Sequence, residues 1–274
     1  MLVYHGTYWD AEAAGATDVV IQKFTCVIHG TIKIRDYTTV LEDIRRMNAM
    51  AHPNVLDCHG CFVTRLEPCY TLSVWVVFDR MDVTLADWFS RDDVTLGQRC
   101  TVLLQLTRGM HTLHTHDMPH RDLRPECVFV VSGTVKITNF RVKTCVSNPS
   151  MCTNPDGSTY ISPDASMDIT SVDVLTRPKL NDVYAFGLVA WETLTGRRVY
   201  ETLRRAYLEE HPYRLLTAII RDGPPSWDGC EHIPGAVKAV ISRCMSFTMK
   251  ERPLFPEILP ALEDVLGTLV EDIE

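Results

Sequence analysis

Residues 183–194, Val-Tyr-Ala-Phe-Gly-Leu-Val-Ala-Trp-Glu-Thr-Leu, are apolar almost all the way round a helix. A helix without a polar face has to be enclosed on every side, so the rest of the chain must supply a thick shell for it. With 274 residues, 46% hydrophobic and 23% charged, the chain is long enough to do this in one large domain or in two closely packed lobes. Amphipathic patterns at 213–221, 234–245 and 255–269 are the candidates for that shell. A further helix is expected over 100–114, with Val102, Leu103, Leu106, Met110 and Leu113 on one side.

The first third has a different rhythm. Residues 2–4, 18–24 and 72–78 are rich in β-branched and aromatic residues and are separated by polar or Gly-bearing segments, which predicts strands. One helix interrupts them: Val40, Leu41, Ile44, Met47 and Met50 recur every three or four residues and stop at His52-Pro53. The change from strands to helices falls near the start of the polar stretch 85–96. An α+β chain is therefore expected, with a strand-rich lobe over 1–82 and a helical lobe over 83–274, and with no internal repeat.

Charge and cysteine content narrow the function. Lys and Arg total 27 against 35 Asp and Glu, a net charge of −8, which argues against a surface built to follow a phosphate backbone; nucleic acid is not expected as a partner. No run approaches the roughly 18 apolar residues of a membrane span, and residues 1–6 begin no long apolar stretch. Ten cysteines are too sparse for a disulfide scaffold and fit thiols in a reducing compartment, so a cytoplasmic protein is expected.

The chemistry concentrates in His120-Arg121-Asp122-Leu123-Arg124-Pro125-Glu126-Cys127, followed by Phe129-Val130-Val131 and by Thr138-Asn139-Phe140-Arg141. This stretch resembles the catalytic loop H-R-D-L-x-x-x-N and the metal-binding loop D-F-G of eukaryotic protein kinases. Further matches follow in the same order: His52-Pro53-Asn54-Val55, Tyr160-Ile161-Ser162-Pro163-Asp164 at A-P-E, Asp182-Val183-Tyr184-Ala185-Phe186-Gly187 at D-V-W-S-F-G, and Glu251-Arg252-Pro253. Each is weak alone, and their common order covers nearly the whole chain. Arg108-Gly109-Met110, Leu113-His114 and Arg243-Cys244-Met245 resemble the tyrosine-kinase-like group in particular. The resemblance implies a bilobal protein-kinase fold.

It also shows which working parts are altered. The family holds its magnesium ions with the D-F-G Asp and the catalytic-loop Asn; here Asn139 and Cys127 stand at those places. A neutral amide is a weaker magnesium ligand than a carboxylate, and a thiol is soft where magnesium is hard. Aligning residues 19–22 with V-A-V-K puts Gln22 at the phosphate-gripping Lys and leaves Lys23 on the opposite face; a one-residue slip would reverse that. Asp43 stands for the ion-pairing Glu, and the chain starts just short of where the Gly-rich loop and the first strand would lie. Val20 at the adenine-side alanine, Phe78 at the gatekeeper and Phe129 at the adenine-side leucine are side chains that would fill the adenine slot from within.

The resemblance therefore implies a degenerate member, a pseudokinase serving as a scaffold or allosteric regulator through protein contacts, with an active kinase or a signalling adaptor as partner. No cofactor is expected, because ATP and magnesium lose their ligands. Asp122 keeps the catalytic-base position, and reads first as a loop-stabilising carboxylate; Arg121 is open to a phosphorylated segment or to local carboxylates. Phe140, Asp164, Asp182 and Arg252 carry structural roles, Asp164 pairing with Arg252 and Asp182 accepting from the His120 loop. Met47, Cys58, His120 and Phe140 hold the stacked column that joins the lobes. Two rival readings are a weak serine/threonine kinase with a rearranged metal site, resting on Asp122 and Lys23, and a metal-independent nucleotide sensor. Cys58-x-x-Cys61 reads as strand rather than zinc site, His111, His114, His116 and His120 as core and loop rather than metal ligands, and the extra residues at 165–181 and 197–221 as solvated loops or a partner site.

Overall fold

The computed structural model describes residues 2–10, 15–27, 42, 45–46, 49–66, 71–81, 83–138, 159–164, 178–207 and 212–271. Strands β1 (Leu2–Asp10), β2 (Gly15–Val27), β3 (Cys58–Leu66) and β4 (Thr71–Asp79) form one antiparallel sheet in the order β1-β2-β4-β3. Its strands run past the β-branched stretches that announce them. The ladder from Leu2↔Lys23 to Asp10↔Gly15 takes in Thr7, Tyr8 and Trp9, residue types with a preference for strands. Of the helix expected before His52, Glu42, Arg45, Arg46, Ala49 and Met50 are helical, while Val40, Leu41, Asp43, Ile44 and Met47 lie outside the described residues.

A second sheet starts at β5 (Val83–Thr84), which pairs with β6 (Val128–Val131) and through it with β7 (Thr134–Ile137). Sheet membership thus changes between Asp79 and Val83. The β6–β7 hairpin closes on Ser132 and Gly133, both at positive φ, the primed two-residue turn whose twist suits paired strands. Around it stand α1 (Leu85–Phe89), α2 (Leu96–Thr115), α3 (Pro178–Thr195), α4 (Glu201–Tyr207), α5 (Pro212–Asp222), α6 (Gly235–Cys244) and α7 (Phe255–Glu271). Helix α2 opens with a capping box in which Thr95 and Gln98 each bond the other's backbone N–H.

Helix α3 is buried at every residue from Asp182 to Leu194, with α2 and α6 packed on it and α7 lying along α2. The enclosing shell that the apolar run demands is present. Asn54 fastens the two sheets' neighbourhoods together: its Nδ2 donates to the Val135 carbonyl and to Gln105 Oε1, each at 3.1 Å, and its carbonyl accepts from Ile137 N at 2.9 Å. Gly109 on α2 is required by this joint, because a Cβ there would sit 2.5 Å from Ile137 Cδ1 and 3.0 Å from the Asn54 carbonyl oxygen. Gly109→Ala is expected to cost about 1–3 kcal/mol by overpacking, read as a lower urea midpoint in equilibrium unfolding. An unchanged midpoint would show that the joint yields freely.

Candidate functional site

The site is assembled on Asp182. This carboxylate, 1% exposed in the first turns of α3, accepts from His120 N and Arg121 N at 2.6 Å each, and from His114 Nε2 at 2.9 Å. Hydrogen bonds from two successive amides hold the loop in a bend that it would not adopt alone. Arg121 sits at φ +65°, a left-handed conformation that a non-glycine residue keeps only when its surroundings over-determine it. His120 Nδ1 accepts from Asp122 N at 3.3 Å. Burial pushes the His120 imidazole below its ordinary value, against the pull of Asp182 and Asp122. The expected acceptance by Asp182 is present; His114, which the sequence placed only among core and loop histidines, is its third partner.

Asp122 lies beside two side chains of its own loop. Arg124 Nε donates to Asp122 Oδ2 at 3.4 Å, and the Cys127 thiol donates to the same oxygen at 3.8 Å. Cys127 closes the short 3-10 turn Pro125–Cys127, and its carbonyl accepts from Thr138 N at 3.0 Å and Thr138 Oγ1 at 2.8 Å. Asn139, Phe140 and Arg141 lie outside the described residues. The test for magnesium rests on the donor set: a thiol and a guanidinium flank the Asp122 carboxylate, where a hard cation needs oxygen ligands. Among the described residues of the loop, the groups beside that carboxylate are not the oxygens such an ion prefers.

On the sheet, Val20 of β2 pairs with Phe78 of β4, and both are buried, at 1% and 0% exposure. Gln22 holds the next same-face register position of β2, opposite Val76, and Lys23 the alternate one, opposite Trp75. Phe129 on β6 is half-buried and packs against the core. Asp43 lies outside the described residues, as does Met47, so of the stacked column only Cys58 and His120 are seen; both are buried. The Cys58 thiol donates to the Gly60 carbonyl at 3.3 Å, and burial pushes it up to about 11, the behaviour of a packed strand residue.

Arg252 anchors the far side. Its Nη2 donates to Asp164 Oδ1 at 2.8 Å, Nε to the Ser246 carbonyl at 2.8 Å and Nη1 to the Leu180 carbonyl at 3.2 Å, with its guanidinium 5.1 Å from the centre of the Tyr184 ring. The expected Asp164–Arg252 pair is present. Within the extra residues at 197–221, α4 includes Arg204 and Arg205, while Glu209 and Glu210 lie outside the described residues. No sequence signal singled out Glu192, Arg198 or Glu126. Glu192 is nevertheless fully buried in α3, and it accepts from Tyr160 Oη at 2.9 Å and Val199 N at 3.0 Å.

A β-sheet lobe, a helical lobe and an Asp-clamped His-Arg-Asp loop between hairpin and buried helix define a kinase-type domain. The chain belongs to the protein tyrosine and serine/threonine kinase family, whose pattern it matches over residues 2–262. It is 26% identical over 271 residues to human mixed lineage kinase domain-like protein, covering 95% of this chain and 53% of that protein. It is 24% identical over 260 residues to Caenorhabditis elegans serine/threonine-protein kinase max-2, covering 93% and 36%, and 31% identical over 180 residues to human serine/threonine-protein kinase A-Raf, covering 61% and 27%. The chain spans about half the length, or less, of these relatives. Among the described residues no helix is long and apolar enough to cross a membrane.

Proposed function

We propose that this chain is a pseudokinase domain of the tyrosine-kinase-like group, acting as a scaffold or allosteric regulator in signalling through protein contacts, with an active kinase or a signalling adaptor as its partner in the cytoplasm. One observation carries the reading: the residue at the second metal-ligand position is Cys127, which has sulfur where the family has an amide oxygen, and its thiol donates to the Asp122 carboxylate. The buried Val20–Phe78 pair supports it, because these are the positions at which the family resemblance puts the adenine-side alanine and the gatekeeper. Asp122, His120 and Arg121 then serve the loop's architecture, Gln22, Asp43 and Asn139 mark the altered phosphate and metal positions, and Asp164, Asp182 and Arg252 hold the frame. The lobes divide near residue 82.

Purified protein incubated with labelled ATP and magnesium is expected to incorporate no phosphate into itself or a generic substrate, and ATP is expected to leave its melting temperature unchanged with or without magnesium. Labelling that Asp122→Asn abolishes, together with a magnesium-dependent shift, would replace this reading with a weak serine/threonine kinase. A shift that needs no magnesium would replace it with a nucleotide sensor.

A further inference from the structure

A continuous line of charged and polar groups runs from the catalytic loop into the buried helix and out to the segment Thr159–Asp164. Arg124 holds Asp122 with Nε and lies with Nη1 at 3.7 Å from Glu126 Oε2. Glu126 Oε1 accepts from Arg198 Nη2 at 3.0 Å, and Arg198 Nη1 lies 3.9 Å from Glu192 Oε1. Glu192 completes the line through its bonds from Val199 N and Tyr160 Oη. Arg198 is the shared member: one guanidinium bridges a half-buried carboxylate on the loop and a wholly buried one on α3, and its face rests over the Phe89 ring at 5.3 Å.

Two facts make Glu192 the variable member. A carboxylate without exposure loses its hydration whenever it ionises, so its charge depends on the partners around it. Those partners come from separate elements: Tyr160 from the segment, Arg198 from the turn after α3, and Glu126 from the catalytic loop, with Arg204 of α4 on the Tyr160 side. Arg99 of α2 reaches α3 nearby but is spent on the Thr193 and Phe89 carbonyls, at 2.8 and 3.0 Å.

We propose that Glu192 and Arg198 form a proton-operated latch that ties the segment Thr159–Asp164 to the turn of the catalytic loop, closed when Glu192 is ionised and slack when it carries a proton. Ionised, Glu192 attracts Arg198 into the bridge and accepts strongly from Tyr160 and Val199. Protonated, it gives up the attraction, and Arg198 is left to Glu126. Burial pushes Glu192 up to about 7, with the Val199 N–H, Arg198 and Tyr160 opposing, so the latch works near neutral pH. The inference goes beyond the pseudokinase reading and holds whether Asp122 is idle or acts as a base.

The sign of the linkage follows from a folded value above the unfolded one. Protonated Glu192 favours the folded chain, so this stabilisation is present below about 4.5 and is lost as pH rises through about 7. Between pH 6 and 8 the folding equilibrium constant of the native chain should fall about tenfold relative to Glu192→Gln, which removes the other titrations from the comparison. The local readout is hydrogen exchange of the Val199 amide and of peptides covering 159–164, corrected for the intrinsic pH dependence of exchange. Exchange through local openings that leave Glu192 buried is expected to slow as pH rises through about 7 in the native chain and to stay flat in Glu192→Gln. Arg198→Gln should move the midpoint upward, because the cation that favours ionised Glu192 is gone. The latch is refuted if Glu192→Gln keeps the native profile, or, where that variant fails to fold, if Arg198→Gln leaves the midpoint where it was.

Discussion

Asp182→Ala is expected to destabilise the protein by about 3–5 kcal/mol. The carboxylate is the shared acceptor of His120 N, Arg121 N and His114 Nε2, and the two histidine donors are buried away from water. Each buried donor left without a partner costs about 1–3 kcal/mol, and breaking a buried charged network by removing one member costs about 3–5 kcal/mol. The left-handed Arg121 adds to this, since the bonds that hold its φ at +65° are the ones removed. Guanidinium unfolding followed by tryptophan fluorescence measures the loss. A change below about 1 kcal/mol would mean that the loop is held by other contacts and that the clamp is incidental.

Arg252→Met is expected to cost a similar amount, about 3–5 kcal/mol, while keeping most of the aliphatic volume over Tyr184. The guanidinium is wholly enclosed and binds the Ser246 and Leu180 carbonyls as well as Asp164. Asp164 retains some exposure and can turn to water, so the cost should fall mainly on the stranded carbonyls. Asp164→Asn separates the two contributions, and it is expected to cost clearly less than Arg252→Met in the same unfolding experiment. Equal losses from both would place the energy in the ion pair itself.

Much of the frame could be read because it obeys local rules. The run at 183–194 declares its own burial, since no rotation of that helix finds a polar face, and α3 is enclosed from Asp182 to Leu194. The Thr95–Gln98 box and the Ser132-Gly133 turn are local as well, each settled within four residues. The His-Arg-Asp loop, Asp182, Asp164 and Arg252 were visible only as motif positions, and the structure supplied the distances that give them work. Glu192 illustrates the opposite case. Within its helix it reads as a lone acidic residue in an apolar run, and its partners Tyr160, Arg198 and Glu126 become neighbours only when the chain has folded.

The same division applies to the chain as a whole. Periodicity and the order of motifs depend on residues a few places apart, and these determined a strand-rich region, a helical region and a loop in which Cys127 stands where the family motif has Asn. Tertiary structure alone decided that the Cys127 thiol lies on Asp122, that Val20 meets Phe78 across a strand pair, and that one arginine is shared by two carboxylates. Such contacts join segments tens of residues apart, and their strength depends on exclusion of water, a property of the folded interior that is absent from any short stretch of sequence.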